Sequence, residues 1–290
     1  MKKLRVVIIG TGNIGTDLLM KILRSPYLEC VGFVGRNMNS AGMSRAIQLN
    51  VPCSDHSINF ISENSDKIDL VLDATSAKDH KKHAIVLKEL GIKAVDMTPA
   101  QVGSMSVPAI TLDQSLSYDN VSMITCGGQA SIPIAYAISK TQKDVDYIEV
   151  VSVISSMSAG PATRANLDEY IFTTEAAIKK FTGVNQAKAI INLNPAIPCI
   201  NMQTSVFAQV QNPDMEMLKE ELNTICSSVQ SYVPGYKIIV GPLYENGRIV
   251  VTVRVRGSGD YLPEYAGNLD IINCAAIALV EEHAKKASER

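Results

Sequence analysis

Leu4-Arg-Val-Val-Ile-Ile-Gly10-Thr-Gly12-Asn-Ile-Gly15-Thr-Asp-Leu-Leu19 runs from a short apolar segment through three glycines into an amphipathic stretch. Leu4–Ile9 has strand length and almost no polar interruption, which suits a strand buried on both faces of a parallel sheet. The next residues form a G-x-G-x-x-G turn. Each glycine has its own reason: Gly10 permits the tight turn, Gly12 lets the backbone approach a pyrophosphate, and Gly15 allows a helix to pack closely on the strand. Asn13 and Ile14 begin that helix, expected over Asn13–Arg24 with Pro26 just beyond its end. An anion held here would rest on free N–H groups at the positive end of the helix.

The motif gains its force from its surroundings. Cys30–Val34, Asp69–Asp73, Ile92–Asp96 and Val121–Thr125 read as further strands, with helices over Ser40–Leu49 and Lys78–Leu90 between them. This alternation predicts a doubly wound parallel sheet of Rossmann type with right-handed crossovers. After Thr125 the pattern changes. A helix begins near Gly128, and Asp146–Ile154, Ala187–Leu193, Val206–Gln211, Lys237–Pro242 and Arg248–Arg256 read as strands. Helices are expected over Asn166–Phe181 and Asp214–Tyr232. These residues predict an α+β domain on a mixed or antiparallel sheet. The division is a dinucleotide-binding domain at 1–125, a catalytic and dimerisation domain at 126–264, and a helix at 265–290 packing back on the first domain.

No acidic residue ends the second strand, which reads Phe33-Val34-Gly35-Arg36-Asn37. A carboxylate there would favour NAD, whereas an arginine can pair with the 2′-phosphate of NADP. Arg36 can equally stack on adenine or face solvent, so the local chemistry admits either dinucleotide.

Composition excludes several classes of partner. The chain has 290 residues, 46% apolar and 19% charged, with a net charge of −2. It is long enough for two cores, and its charge offers no attraction to nucleic acid or an anionic membrane. The longest apolar runs, Leu4–Gly10 and Ile272–Val280, are too short to cross a bilayer. The first strand follows directly on two lysines, so a cytoplasmic location is expected.

Six cysteines are present, none in a CxxC pair. Cys30, Cys226 and Cys274 are expected in the core, and Cys199 in a loop. Cys126 differs. Met123-Ile-Thr-Cys126-Gly-Gly-Gln sets it between a strand and a helix, where the helix start favours the thiolate and lowers its pKa. The two glycines leave room for a substrate and free N–H groups for an oxyanion. Cys126 is therefore the candidate nucleophile.

The four histidines are His56, His80, His83 and His283. None lies in the expected second domain, which argues against a Cys–His dyad there. His80 and His83 are spaced i,i+3 with no third ligand in view, so surface helix positions are expected and no metal. A site poor in bases suits an acyl acceptor that brings its own thiol, such as coenzyme A, better than water.

The chain resembles the acylating acetaldehyde dehydrogenases, which associate with 4-hydroxy-2-oxovalerate aldolase in aromatic catabolism. The marks of the resemblance are GTGNIGTDLL (Gly10–Leu19), TCGGQASIP (Thr125–Pro133), SAGPATRANLDE (Ser158–Glu169), NPAIP (Asn194–Pro198), YVPGY (Tyr232–Tyr236) and YLPEYAGNLDI (Tyr261–Ile271). The resemblance implies NAD, coenzyme A as acyl acceptor, a homodimer, and an acyl-enzyme on Cys126. It also implies that Ser158, Ala159, Gly160, Pro161, Ala162, Thr163, Arg164, Ala165 and Asn268 join Thr11–Ile14 in holding the dinucleotide. Two positions depart from the family pattern. Asn37 stands where an acidic residue is usual, and Thr204 stands where the family carries a carboxylate thought to assist the cysteine. The expected reaction is aldehyde oxidation to a thioester on Cys126 and transfer to coenzyme A. The alternatives are a semialdehyde-type or acyl-CoA reductase, or a nucleotide-binding protein that has lost catalysis.

Overall fold

The computed structural model describes residues 2–288, without the side chains of Pro161 and Ala162. The chain divides into two compact units, Met1–Met123 with Asp260–Leu262 and Asn273–Arg290, and Ile124–Gly259 with Pro263–Ile272.

The first unit runs β1 (Leu4–Ile9), α1 (Asn13–Arg24), β2 (Leu28–Val34), α2 (Ala41–Gln48), β3 (Cys53–Ser54), α3 (Ile58–Glu63), β4 (Leu70–Asp73), α4 (Ala77–Glu89), β5 (Lys93–Asp96), β6 (Ser104–Met105), α5 (Pro108–Ser115) and β7 (Asn120–Ser122). Its sheet has the order β3-β2-β1-β4-β5-β7-β6, and every strand pair is parallel. The order reverses direction between β1 and β4, which opens a crevice at the carboxyl ends of those strands. Val6, Val7, Ile8 and Ile9 are fully buried, each worth about 1.5–3 kcal/mol of burial. Helix α1 buries Gly15, Leu18, Leu19 and Ile22. Its Lys21 is also buried, paired with Asp17 at 3.2 Å and Asp260 at 2.8 Å, so the ion pair offsets the cost of removing an ammonium from water.

One expectation is overturned here. His80 and His83 are not surface residues. Both are buried, and their Nδ1 atoms lie 2.9 and 2.8 Å from Asp73 Oδ2. Spacing of i,i+3 puts them on one face of α4, and that face packs toward the carboxyl end of β4. A buried carboxylate needs such partners. The charge-rich sequence around them belongs to the opposite, exposed face.

The second unit contains α6 (Cys126–Thr141), β8 (Tyr147–Ser155), α7 (Pro161–Ala165), α8 (Leu167–Thr182), β9 (Gln186–Asn194), β10 (Met202–Gln209), α9 (Met215–Gln230), β11 (Tyr236–Glu245) and β12 (Arg248–Val255). It also takes the start of α10 (Gly267–Ser288), whose remainder belongs to the first unit. The sheet order is β11-β12-β10-β8-β9. Only β8 and β9 are parallel, so the sheet is mixed. Alternation is clean in β8 and β10. Ile148, Val150, Ser152 and Ile154 face inward beside Met202, Thr204, Val206 and Ala208, all of them buried, as the period of two requires. Among the described residues no helix is long and apolar enough to cross a membrane.

Candidate active site

The turn between β7 and α6 is built under strain. Ile124 has φ +65°, a left-handed conformation that a β-branched residue adopts only when its surroundings impose it. The next residue, Thr125, caps α6: its Oγ1 accepts the Gly128 N–H at 2.9 Å and lies 2.8 Å from Thr174 Oγ1. Thr174 donates its own proton to the Tyr170 carbonyl at 2.7 Å, so Thr125 donates to Thr174. The first residue of the capped helix is Cys126. Its side chain is half-buried and unpaired with any other cysteine.

Helix α8 lays Tyr170, Thr173, Thr174, Ala177 and Ile178 on its buried face, at helical i, i+3, i+4, i+7, i+8 spacing. The Tyr170 ring thereby reaches the start of α6. A Cβ on Gly127 would lie 1.9 Å from the Tyr170 hydroxyl oxygen and 3.0 Å from Ser152 Oγ. This glycine exists to make room for a phenol. Behind it, Ser152 of β8 and Thr204 of β10 are cross-strand neighbours, with Oγ and Oγ1 3.0 Å apart.

The helix start does not make Cys126 acidic. Burial pushes its thiol up to about 11, against hydrogen bonding from Tyr170 and the amides of Gly127 and Cys126. The amides act in the anticipated direction, but loss of solvent outweighs them. Burial likewise raises the Tyr170 phenol well above its usual value, so it stays neutral and able to donate.

The glycine-rich turn has the features of an anion cradle. Gly10 has φ +112°, and a Cβ on Gly15 would lie 1.9 Å from the Gly10 carbonyl oxygen, so neither position admits a side chain. A Cβ on Gly12 would meet nothing within 4 Å, and no side chain caps the first amides of α1. Open space above uncapped N–H groups fits a pyrophosphate. Thr11 Oγ1 lies 3.0 Å from Ser40 Oγ at the start of α2. Arg36 follows β2 with its side chain mostly exposed, 3.8 Å from Asp79.

The remaining candidates lie in the second unit. Ser158 is buried and donates to the Ser155 carbonyl at 2.8 Å. Arg164 spans its own loop, donating to the Ala159 and Ser156 carbonyls at 3.0 Å each. Ala159 is buried, Gly160 faces open space, and Thr163 is half-buried beside exposed Ala165. Pro161 and Ala162 open α7, and their side chains lie outside the described ones. Asn268 is buried with Oδ1 lacking any partner, an orphaned acceptor suited to an amide donor such as that of nicotinamide. Of the cysteines, Cys30 and Cys226 are buried, while Cys199 and Cys274 are half-buried. Tyr170 and Ser152 escaped the sequence reading. Their signal is the buried helical stripe of α8 and the inward register of β8.

Residues 126–263 match a family model described as prokaryotic acetaldehyde dehydrogenase, dimerisation, and residues 5–109 match semialdehyde dehydrogenase, NAD binding domain. An acetaldehyde dehydrogenase of Spirochaeta aurantia is 60% identical over 100% of this chain and 97% of its own. One from Pectobacterium atrosepticum is 53% identical over 97% of this chain and 95% of its own. The crystal structure of aspartate semialdehyde dehydrogenase II from Vibrio cholerae has a TM-score of 0.63 at 12% identity, covering 96% of this chain and 97% of that one. It shares the fold.

Proposed function

The chain belongs to the prokaryotic acetaldehyde dehydrogenase family, and from that membership we propose that it oxidises acetaldehyde or another short aldehyde with NAD and passes the acyl group to coenzyme A through a thioester on Cys126. The observation that carries this reading is a half-buried cysteine at a strained strand-to-helix turn, with amide N–H groups and a phenol around its sulfur.

When bound, the nicotinamide supplies the hydride acceptor. The cradle at Gly10, Thr11, Gly12, Asn13, Ile14 and Gly15 would hold the pyrophosphate. Arg36 would lie against the adenosine side, and the Ser158–Ala165 loop with Asn268 would add contacts to the dinucleotide. Cys126 sulfur adds to the aldehyde carbon, giving a thiohemiacetal whose oxygen faces amide N–H groups. Loss of hydride from that carbon and a proton from that oxygen leaves the thioester. The thiol of coenzyme A then takes the acyl group and its proton returns to Cys126. The balance is aldehyde, coenzyme A and NAD⁺ giving acyl-CoA, NADH and H⁺.

A homodimer is supported by the dimerisation model. The sheet of the second unit offers a surface for it: Glu149, Val151, Val153, Ser205 and Phe207 face away from its helices and are half-buried. Partnership with an aldolase rests on the family resemblance and is tested by co-elution in size-exclusion chromatography.

The deciding experiment measures NADH formation from acetaldehyde with and without coenzyme A, in wild type and Cys126→Ala. We expect activity that depends on coenzyme A, an acetyl mass on the Cys126 peptide when coenzyme A is withheld, and loss of both in Cys126→Ala. Turnover surviving in Cys126→Ala overturns the reading.

A further inference from the structure

We propose that Tyr170 is a second catalytic residue, whose hydroxyl donates a hydrogen bond to the Cys126 sulfur as the thiolate forms, oriented by a buried chain of hydroxyls running from Thr204 through Ser152. This deepens the reading of Cys126 as nucleophile and rests on it.

Three observations carry the proposal. First, Tyr170 is only 7% exposed, and its hydroxyl has no partner in well-formed geometry. It nevertheless lies close enough to interact with the Cys126 thiol, the Ser152 hydroxyl and the Gly127 amide. A buried phenol held short of full pairing is costly unless another state of the site completes the bond. Second, Ser152 and Thr204 stand opposite each other on an otherwise apolar sheet face, 3.0 Å apart and fully buried. Two hydroxyls there are hard to explain as packing, since aliphatic residues would fill the space without loss.

Third, the direction of the protons is determined by the sulfur. A thiolate can only accept. If Tyr170 donates to it, the phenol oxygen is free to accept from Ser152, and Ser152 to accept from Thr204. Tyr170 and Ser152 then each accept once and donate once, with Thr204 donating at the head of the chain, and the bonds polarise one another toward the anion. None of the three is a base near neutral pH. They hold the anion rather than take its proton, which leaves to solvent.

The groups that interact with the sulfur are the amides of Cys126 and Gly127 on α6 and the phenol on α8; Ser152 of β8 meets the phenol, and Thr204 of β10 lies behind Ser152. Tyr170 is the titratable member of that set, and burial raises its phenol well above the usual value.

The test is the rate of Cys126 alkylation by iodoacetamide as a function of pH, read on the Cys126 peptide by mass spectrometry in the full-length protein. Wild type gives the reference thiol titration. Tyr170→Phe keeps the ring and removes the donor. We expect its titration to move up by about one pH unit, a roughly tenfold loss of reactivity at fixed pH. Ser152→Ala and Thr204→Val should move it the same way by less, since the phenol remains but loses its alignment. A role confined to packing would lower the unfolding midpoint and leave the thiol titration in place. A Tyr170→Phe profile that overlays wild type, or moves down, overturns the proposal. Should Tyr170→Phe fail to fold, Ser152→Ala decides in its place, because it leaves the ring untouched; an unmoved titration there overturns the proposal equally. Turnover of Cys126→Ala addresses the nucleophile itself, so failure of that reading is distinguishable from failure of the phenol contact.

Discussion

At position 127 the first atom of any side chain would lie 1.9 Å from a phenol oxygen. The sequence alone suggests that Gly127 serves the substrate and the oxyanion. The structure gives a prior reason, steric and internal to the protein. Gly127→Ala must therefore push Tyr170 away from the helix start, at a cost of about 1–3 kcal/mol for overpacking. We expect a lower urea midpoint together with a marked loss of turnover. A variant of wild-type stability and activity would show that the ring moves freely. The setting of Cys126 at a strand-to-helix turn was legible because everything that marks it is local: the strand, the cap, the glycines. Tyr170 and Ser152 were not, because their meaning arises only when α8 and β8 meet α6. The expectation of an acidic thiol failed for the same reason. Helix position is written in the sequence, and desolvation is a property of the packed unit.

Elements show the same division between local and assembled information. β1, α1 and the turn between them follow from a few contiguous residues, and the structure reproduces them with the expected bounds. The strand expected over Val121–Thr125 ends instead at Ser122, and the helix starts at Cys126 rather than near Gly128. The strained Ile124 and the capping Thr125 account for the difference, occupying residues that look apolar enough to extend a strand. β3, α3, β6 and α5 carry too few residues to display a period, and a two-residue strand such as β3 or β6 exists only because a neighbour supplies its partner. The cap is testable. Thr125→Ala removes the acceptor for the Gly128 N–H and the donor to Thr174, and should cost about 1–2 kcal/mol in urea unfolding. Thr125→Ser, which keeps the hydroxyl, should recover most of that loss. Equal effects of the two substitutions would place the role of Thr125 in its methyl group.

For the molecule as a whole, the buried charges of the first unit predict how stability depends on pH. Asp73 ends β4 and Asp96 ends β5, both fully buried, with His80 between them: its Nδ1 lies 2.9 Å from Asp73 and its Nε2 3.5 Å from Asp96. Burial pushes the Asp96 carboxyl up from 3.8 to about 7, with His80 and Thr98 only partly opposing it. Burial alone would lower His80, but its bond to Asp73 and the charge of Asp96 hold it above its usual value. Asp73 pays the same burial cost, yet hydrogen bonds from His80, His83 and Thr75 outweigh it and keep its carboxyl well below the usual carboxylate range. The signs then follow from proton counts. Between about pH 4 and 7 the folded unit holds a proton on Asp96 that the unfolded chain has released, so stability falls as pH rises through that window. The raised His80 extends the decline above its ordinary value of 6.5. Asp73 acts at the other end, and its contribution is lost only as pH drops below about 4. Asp96→Asn mimics the protonated acid at every pH. It should therefore flatten the decline between pH 4 and 7 and raise stability at pH 8, by on the order of 2–4 kcal/mol at about 1.4 kcal/mol per tenfold difference in proton affinity. Urea unfolding of wild type and Asp96→Asn at half-unit pH intervals measures the difference between the two curves. If that difference is constant across the window, Asp96 is ionised in the folded protein throughout, and the pairing with His80 would have to be read as a fixed ion pair instead.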